Sequence, residues 1–339
     1  MKAVRLESVG HLYLRDVEKP TPGPDELLVK VEASGICGSD RHFLHGEFPC
    51  SPPVTLGHEF CGIIEDVGSA VADFRPGMRI TGDPNIACGR CAHCYAGRVN
   101  LCANLQAIGL HRDGGFAEYV LVPQKQAHSL PVSMKATHGA FCEPLSCCIH
   151  GVDLADIKPG ASVVVLGGGV IGMLTVQLAR RAGAEKVVLS TRQAVRRALA
   201  EKTGASASVD PSTGDVVEKI AGANGVLPGG ADVVIECAGV PDTMRQMTQL
   251  ARRGGAVVVL GVMSQKAVVP FEPFDILFRE LRIFGSFINP FTHRRAAELI
   301  ASGAVDVDCL ITRQAPLADV PDIIKEPPAA GEIKAMFVT

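Results

Sequence analysis

Residues 35–59 hold a thiol, imidazoles, a hydroxyl and acids in one short stretch: Cys37, Ser39, Asp40, Arg41, His42 and His45, then, past a proline-rich loop, Gly57, His58 and Glu59. Cysteine sulfur and imidazole nitrogen suit a tetrahedral zinc, and two such ligands with a nearby carboxylate leave a fourth position for water or substrate. An open position is what a catalytic metal requires. Read singly, Cys37 is as well explained as a small core residue and His58 as a surface loop residue. Other parts of the chain decide between these readings.

The sharpest local pattern is Cys88, Cys91 and Cys94 at a spacing of three, with Cys102 eight residues on. Four thiolates so placed can wrap one zinc in a closed, structural site that leaves no position for substrate. Glycine, arginine, histidine and asparagine surround them without any hydrophobic period, so four buried apolar cysteines is a poor account of the segment. His93 lies inside the loop and reads as solvated, because four thiolates already satisfy the metal.

A second pattern is the apolar run 163–166, followed by Gly167, Gly169 and Gly172 and a helical stretch over 173–182. A Gly-x-Gly-x-x-Gly that leaves a strand and opens a helix is a dinucleotide fingerprint. Gly167 allows the tight turn and Gly169 lets the backbone approach the pyrophosphate. Gly172 lets helix and strand pack closely, and Val170 and Ile171 lie at the helix start that faces the phosphates. At the end of the next strand a carboxylate would receive the adenosine ribose of NAD. The chain has Ser190, Thr191 and Arg192 there. Hydroxyls and a guanidinium suit a 2′-phosphate, so NADP is favoured over NAD. Arg192 as an exposed helix-start residue is the alternative.

The elements that must position these groups fall into two textures. Residues 1 to about 130 are β-rich and loop-rich, with alternation over 27–33, a turn over 20–24 and a second strand-then-turn over 62–68. From about 155, short apolar runs at 163–166, 186–189, 233–236, 257–260 and 283–287 alternate with helical stretches. That is the pattern of a parallel sheet with helices on both faces. The last fifty residues return to mixed texture, with a helix over 293–302 and a strand over 334–338. The expected fold is thus α/β: a β-rich catalytic domain over 1–150, completed by about 290–339, and a doubly wound Rossmann domain over 151–289.

Composition excludes several function classes. The chain has 339 residues, 47% hydrophobic and 20% charged, with a formal net charge of -3. Lysine and arginine are scattered, which gives no footprint for nucleic acid or an anionic membrane. No apolar run reaches the roughly 18 residues of a spanning helix. Twelve cysteines in such a chain point to reduced thiols and metal binding, and to a cytoplasmic enzyme.

With both cysteine-containing patterns and the fingerprint in this order, the chain resembles the zinc-dependent medium-chain alcohol dehydrogenases, nearest their sorbitol (polyol) and threonine dehydrogenase branch. The resemblance covers essentially the whole chain and implies a GroES-like first domain. It implies that Cys37 and His58 are catalytic zinc ligands, with Glu59 a direct or alternating ligand. The segment Phe141-Cys142-Glu143-Pro144 matches the Glu-Pro form of the polyol branch. Glu143 is then a ligand, directly or through the zinc water, with Cys142 the runner-up. By the same resemblance Asp40 holds the second nitrogen of His58, Ser39 takes the alcohol proton, His42 relays it to solvent and Phe116 forms an apolar wall. Read alone, those three polar residues are a helix cap, a turn residue and a solvated imidazole.

The implied reaction is oxidation of a secondary alcohol, polyol or sugar alcohol to the ketone. Zinc lowers the pKa of the alcohol oxygen, and NAD(P) takes the hydride in a cleft that excludes water. Two zinc ions per chain, a small-molecule alcohol and a homotetramer or homodimer are expected, assembled through the sheet edge at 283–287. Where sorbitol dehydrogenases tend to carry Arg-Tyr, this chain has Gly285-Ser286-Phe287-Ile288-Asn289. A polyol-gripping guanidinium is missing there, and Asn289, with Arg41 and His45 near the site in sequence, is what remains for a hydroxyl, acid or phosphate. Two other classes compete. A zinc-free quinone or enone reductase on the same scaffold needs no liganding triad, and a zinc-ribbon interaction module needs no fingerprint.

Overall fold

The computed structural model describes residues Met1–Thr339, which divide into two compact units: Met1–Ser146 with Pro290–Thr339, and Cys147–Asn289. The first unit is built on a seven-stranded mixed sheet with a three-stranded sheet beside it in sequence. Its central strand, Glu26–Gly35, pairs antiparallel with Glu59–Val67 on one side and with the C-terminal strand Lys334–Val338 on the other. Alternation explains the strand: Leu27, Val29, Val31 and Ala33 are buried, and with Leu6, Phe60, Phe116 and Phe337 they belong to the unit's buried hydrophobic side chains. Register does the positioning. Gly35 is directly opposite Glu59, so the loop leaving one strand and the turn entering the other end side by side.

The second unit is a six-stranded parallel sheet. Its order is Ala207–Val209, Lys186–Ser190, Ser162–Leu166, Ala231–Glu236, Ala251–Val259 and Arg282–Gly285. Val163, Val164, Val165, Leu166, Val187, Val188, Leu189, Val234, Ile235, Val257 and Val258 are all fully buried, as a sheet covered on both faces requires. The chain order reverses between Ser162–Leu166 and Ala231–Glu236, which is the switch point where open α/β sheets take their ligands. The short strand Ala207–Val209 carries too few apolar residues to stand out in the sequence. No helix of the structure is long and apolar enough to cross a membrane.

Candidate active site and dinucleotide cradle

Cys37 follows the central strand and is the N-cap of the helix Gly38–Leu44. Asp40, three residues into that helix, closes the cap by accepting from the Cys37 backbone N–H at 2.9 Å. Its other oxygen, Oδ1, lies 3.6 Å from His58 Nδ1, an ion-pair distance but not a hydrogen bond. Asp40 is therefore helix cap and imidazole neighbour at once, two readings the sequence presents as alternatives. Gly57, at φ +97°, makes the turn that presents His58. A Cβ at Gly57 would sit 2.5 Å from the Phe116 backbone nitrogen and against its ring. Phe116 has no exposed surface, so it buttresses that turn from within the core instead of forming the wall of an open cavity.

One ligand atom each of Cys37, His58 and Glu59 lies within 4.8 Å of the others. Ser39 Oγ is 3.4 Å from His58 Nε2. Burial alone would lower the His58 pKa, but Asp40, the Cys37 sulfur and Glu143 outweigh it and hold it well above the ordinary histidine value. Glu143 opens the helix Cys142–Ala155 and is buried, which pushes its carboxyl up to about 7, with His58 opposing and Glu59 adding to the rise. Cys142 faces away into the core beside Cys61 and Thr81, and burial pushes its thiol up. Neither Cys142 nor Glu143 is among the residues whose ligand atoms lie within 4.8 Å of one another at this site.

A group that sequence reasoning missed is Lys334. It reaches from the C-terminal strand to form a buried ion pair with Glu59 and donates to the Ile36 carbonyl at 3.1 Å. The pair passes over Gly35, where a Cβ would collide with the Glu59 carboxylate and lie 2.7 Å from Lys334 Cε. Asp40 Oδ1 and His58 Nδ1 face each other without a well-aligned hydrogen bond, whereas Glu59 Oε2 is held by Lys334. The thiol of Cys37, the imidazole of His58 and the carboxylate of Glu59 are a donor set that fits a zinc ion.

Of the neighbours, His42 forms an ion pair with Glu47 at the surface and packs on Phe48, ring centroids 4.5 Å apart. Arg41 is not free for a substrate: its guanidinium donates to the Ile323 and Glu326 carbonyls at 2.9 and 3.2 Å, closing the end of helix Val320–Lys325. His45 is exposed.

The four cysteines at 88–102 converge, again with ligand atoms within 4.8 Å. Cys91 Sγ is 3.5 Å from Cys94 Sγ and 4.0 Å from Cys102 Sγ. Four sulfurs on zinc at about 2.3 Å would stand roughly 3.8 Å apart, whereas a disulfide needs about 2.05 Å. Backbone N–H groups of Ala103 and Cys94 lower the Cys91 thiol to about 6, and those of Arg90 and Cys91 help lower Cys88. Burial raises Cys94 to about 11. His93 is half-buried, with Nδ1 out of solvent and without a hydrogen-bond partner, so it is not the solvated residue expected.

In the second unit, Gly167 turns at φ +109° and Gly169 is the N-cap of helix Val170–Arg181. A Cβ at Gly169 would meet nothing within 4 Å, while one at Gly172 would drive into the Gly167 carbonyl. The first leaves room for a phosphate at the helix N-terminus and the second sets the close helix–strand packing. Ser190 and Thr191 are buried and Arg192 is exposed. Thr191 Oγ1 stands against Gly168, at 2.7 Å from where a Cβ would be. The peptide after it is clamped by Arg197, unnoticed in the sequence, which donates to the Thr191 and Arg192 carbonyls at 2.9 and 2.7 Å and pairs with Asp210 at 2.8 Å. Asn289 is buried, between Ile288 and Phe291, both at left-handed φ of +47° and +58°. Such backbone in a β-branched residue is rare and stores strain.

The alcohol dehydrogenase GroES-like domain family matches residues 23–132, and the zinc-binding dehydrogenase family matches residues 170–302. A solved structure from Sinorhizobium meliloti 1021, bound to NADP and described provisionally as a zinc-binding dehydrogenase, is 67% identical. It covers 100% of this chain and 99% of its own, with a TM-score of 0.99. A sorbitol dehydrogenase of Bacillus subtilis (strain 168) is 32% identical over 96% of this chain and 93% of its own. A D-arabitol-phosphate dehydrogenase of Enterococcus avium is 32% identical over 99% and 97%. Sulfur, imidazole and carboxylate at adjoining strand ends, a four-thiolate loop and a glycine fingerprint thus share a chain with two matching families, and the protein belongs to the medium-chain zinc alcohol dehydrogenases, NAD(P)-dependent oxidoreductases of alcohols and polyols.

Proposed function

We propose that the protein oxidises a secondary hydroxyl of a polyol, or of a sugar-derived acid or phosphate, to the ketone, with NADP as preferred acceptor and two zinc ions per chain. The observation that carries this reading is the convergence of Cys37, His58 and Glu59 within 4.8 Å. In this reading those three hold the catalytic ion, Glu143 addresses it directly or through water, and Cys88, Cys91, Cys94 and Cys102 hold the structural one. Bound there, zinc supplies Lewis acidity to the alcohol oxygen, and NADP accepts the hydride.

The chain's own residues handle the proton. Ser39 accepts it from the alcohol, and His42, partly exposed against Glu47, passes it to solvent. Asp40 keeps Nδ1 of His58 turned toward itself, which leaves Nε2 for the ion. The polyol class draws on the sorbitol and arabitol-phosphate relatives, and Asn289 is the remaining candidate for a substrate hydroxyl. NADP preference draws on the NADP-bound neighbour and on Thr191 and Arg192, where no carboxylate repels a 2′-phosphate.

The first unit serves as the catalytic zinc domain, completed by its C-terminal segment, and the second as the cofactor domain. A homodimer or homotetramer in the cytoplasm, where the twelve cysteines, none of them in a disulfide, stay reduced, completes the reading. Its edge strand Arg282–Gly285 is open, and Ile283, Phe287, Phe274, Leu277 and Phe278 are exposed near it in sequence. Sedimentation showing only monomer would remove the assembly.

Metal counting by elemental emission tests the core of the proposal. Two zinc ions per chain are expected, one after Cys37→Ser, with loss of alcohol oxidation and an intact fold. One ion in the unmodified protein, or undiminished turnover after Cys37→Ser, leaves a zinc-free reductase or a ribbon module as the better account.

A further inference from the structure

Glu236 ends the strand Ala231–Glu236 at the switch point of the parallel sheet, and it is fully buried. Its carboxylate is surrounded by its own loop. Oε1 accepts from the backbone N–H groups of Ala238 and Gly239 at 2.8 and 2.9 Å and from the Thr243 hydroxyl at 2.7 Å. The residue's carbonyl accepts from Leu260 and Gly261 at 2.9 and 2.8 Å. On the other side, Cys237 donates to the Leu166 carbonyl at 2.8 Å, and Ala238 packs on the fingerprint turn, 2.8 Å from where a Cβ on Gly167 would stand. A Cβ on Gly261 would come 2.5 Å from Glu236 Oε2. The carboxylate therefore holds the loop that follows Ala231–Glu236 through Oε1 alone, while backbone contacts of residues 236–238 join that loop to the ones that follow Ser162–Leu166 and Ala251–Val259.

Those loop ends have different duties. The fingerprint turn and the strand end at Ser190–Arg192 lie on the side of the switch point that receives the adenosine half of a dinucleotide. The loops at 237–240 and 260–262 lie on the other mononucleotide half of the sheet. We infer that Glu236 is a positioning residue that fixes loop 237–240 against the fingerprint turn and so shapes the wall for the nicotinamide half of the cofactor. It touches no reacting atom. It acts by satisfying two backbone donors that would otherwise leave the loop free to peel from Gly167, and a buried donor left unpaired is what such a loop moves to avoid.

This inference rests on the reading of the second unit as the NADP-binding one, and the experiment separates the two. Dissociation constants for NADP and for adenosine 2′,5′-bisphosphate, which carries only the adenosine half, are measured by titration calorimetry on the full chain, with kcat and KM for NADP in parallel. Glu236→Ala is expected to weaken NADP by about ten-fold or more, the cost of losing buried hydrogen bonds, while the bisphosphate binds as before. Glu236→Gln, which keeps one acceptor oxygen, is expected to restore most of the affinity. Thr243→Val removes a single donor and should move NADP affinity the same way by a smaller factor, which keeps the test open if the alanine variant does not fold. Equal loss for NADP and the bisphosphate, or unchanged NADP affinity in folded Glu236→Ala and Thr243→Val proteins, overturns the inference. Failure of the unmodified protein to bind either compound overturns the cofactor reading instead.

Discussion

Lys334→Met is expected to destabilise the metal-stripped protein far more than the zinc-loaded one. Lys334 and Glu59 are 4% and 1% exposed, so their close charge pair is formed out of solvent. Burial disfavours the ammonium, but Glu59, Cys37 and Asp40 outweigh it and raise the pKa above the ordinary lysine value, so the residue is charged at every working pH. Removing one partner of a buried pair leaves the other charge uncompensated, at about 3–5 kcal/mol. For a unit of this size that is a fall in Tm of roughly 6–20 °C. With zinc bound beside Glu59, a second cation offsets the carboxylate, and the loss should shrink to a fraction of that. Glu59→Gln combined with Lys334→Met deletes both charges and should recover most of the stability lost without metal. The assay is denaturant unfolding of the four proteins, each with chelator and with zinc. A loss below about 1 kcal/mol in chelator would mean the pair is solvated, contrary to the burial on which the estimate rests. An equal loss with and without zinc would place the ion away from Glu59.

Other outcomes follow from the same geometry. Cys94→Ser should lower Tm and release one zinc before it affects chemistry, since a closed site contributes folding energy; an unchanged Tm with full metal content would contradict the four-thiolate site. Thr191→Asp with Arg192→Leu should reverse the cofactor order, measured as the kcat/KM ratio for NADP and NAD. An unmodified protein that favours NAD about ten-fold would show that the exposed Arg192 contributes nothing. In chelator, Glu143 has a folded pKa of about 7 against an ordinary 4.5, so its contribution is intact below pH 4.5 and is lost as pH rises through 7. The loss is of the order of 3 kcal/mol. Comparing wild type with Glu143→Gln from pH 4.5 to 8 isolates it from buried His293, whose pKa is lowered by burial and which runs the opposite way. Parallel stability curves would show that Glu143 titrates as if solvated.

What the sequence made legible was local in the chain. Cys88 to Cys102 and Gly167 to Gly172 carry their meaning in spacing alone, because the turn or helix that joins the residues also sets their distance. The strands over 233–236 and 334–338 were equally plain from their apolar runs. What those strands carry at their ends was not. Glu236 and Lys334 are charged residues at strand termini, where a charge is ordinarily solvated, and nothing nearby marks them as buried. Lys334 meets the Ile36 carbonyl across 298 residues, and the meeting is set by which strand lies beside Glu26–Gly35. The one local trace of it is Gly35. In a strand otherwise rich in β-branched and branched aliphatic residues, a terminal glycine reads as the start of a loop. Its second meaning, space for two side chains arriving from either neighbouring strand, exists only once the register Gly35 opposite Glu59 and Met336 is known. Gly35→Ala is thus a probe of tertiary pairing made at a position that has no side chain of its own. It should push Glu59 and Lys334 apart and mimic the Lys334→Met loss in chelator, while leaving the spacing of Cys37 and His58 in the chain untouched.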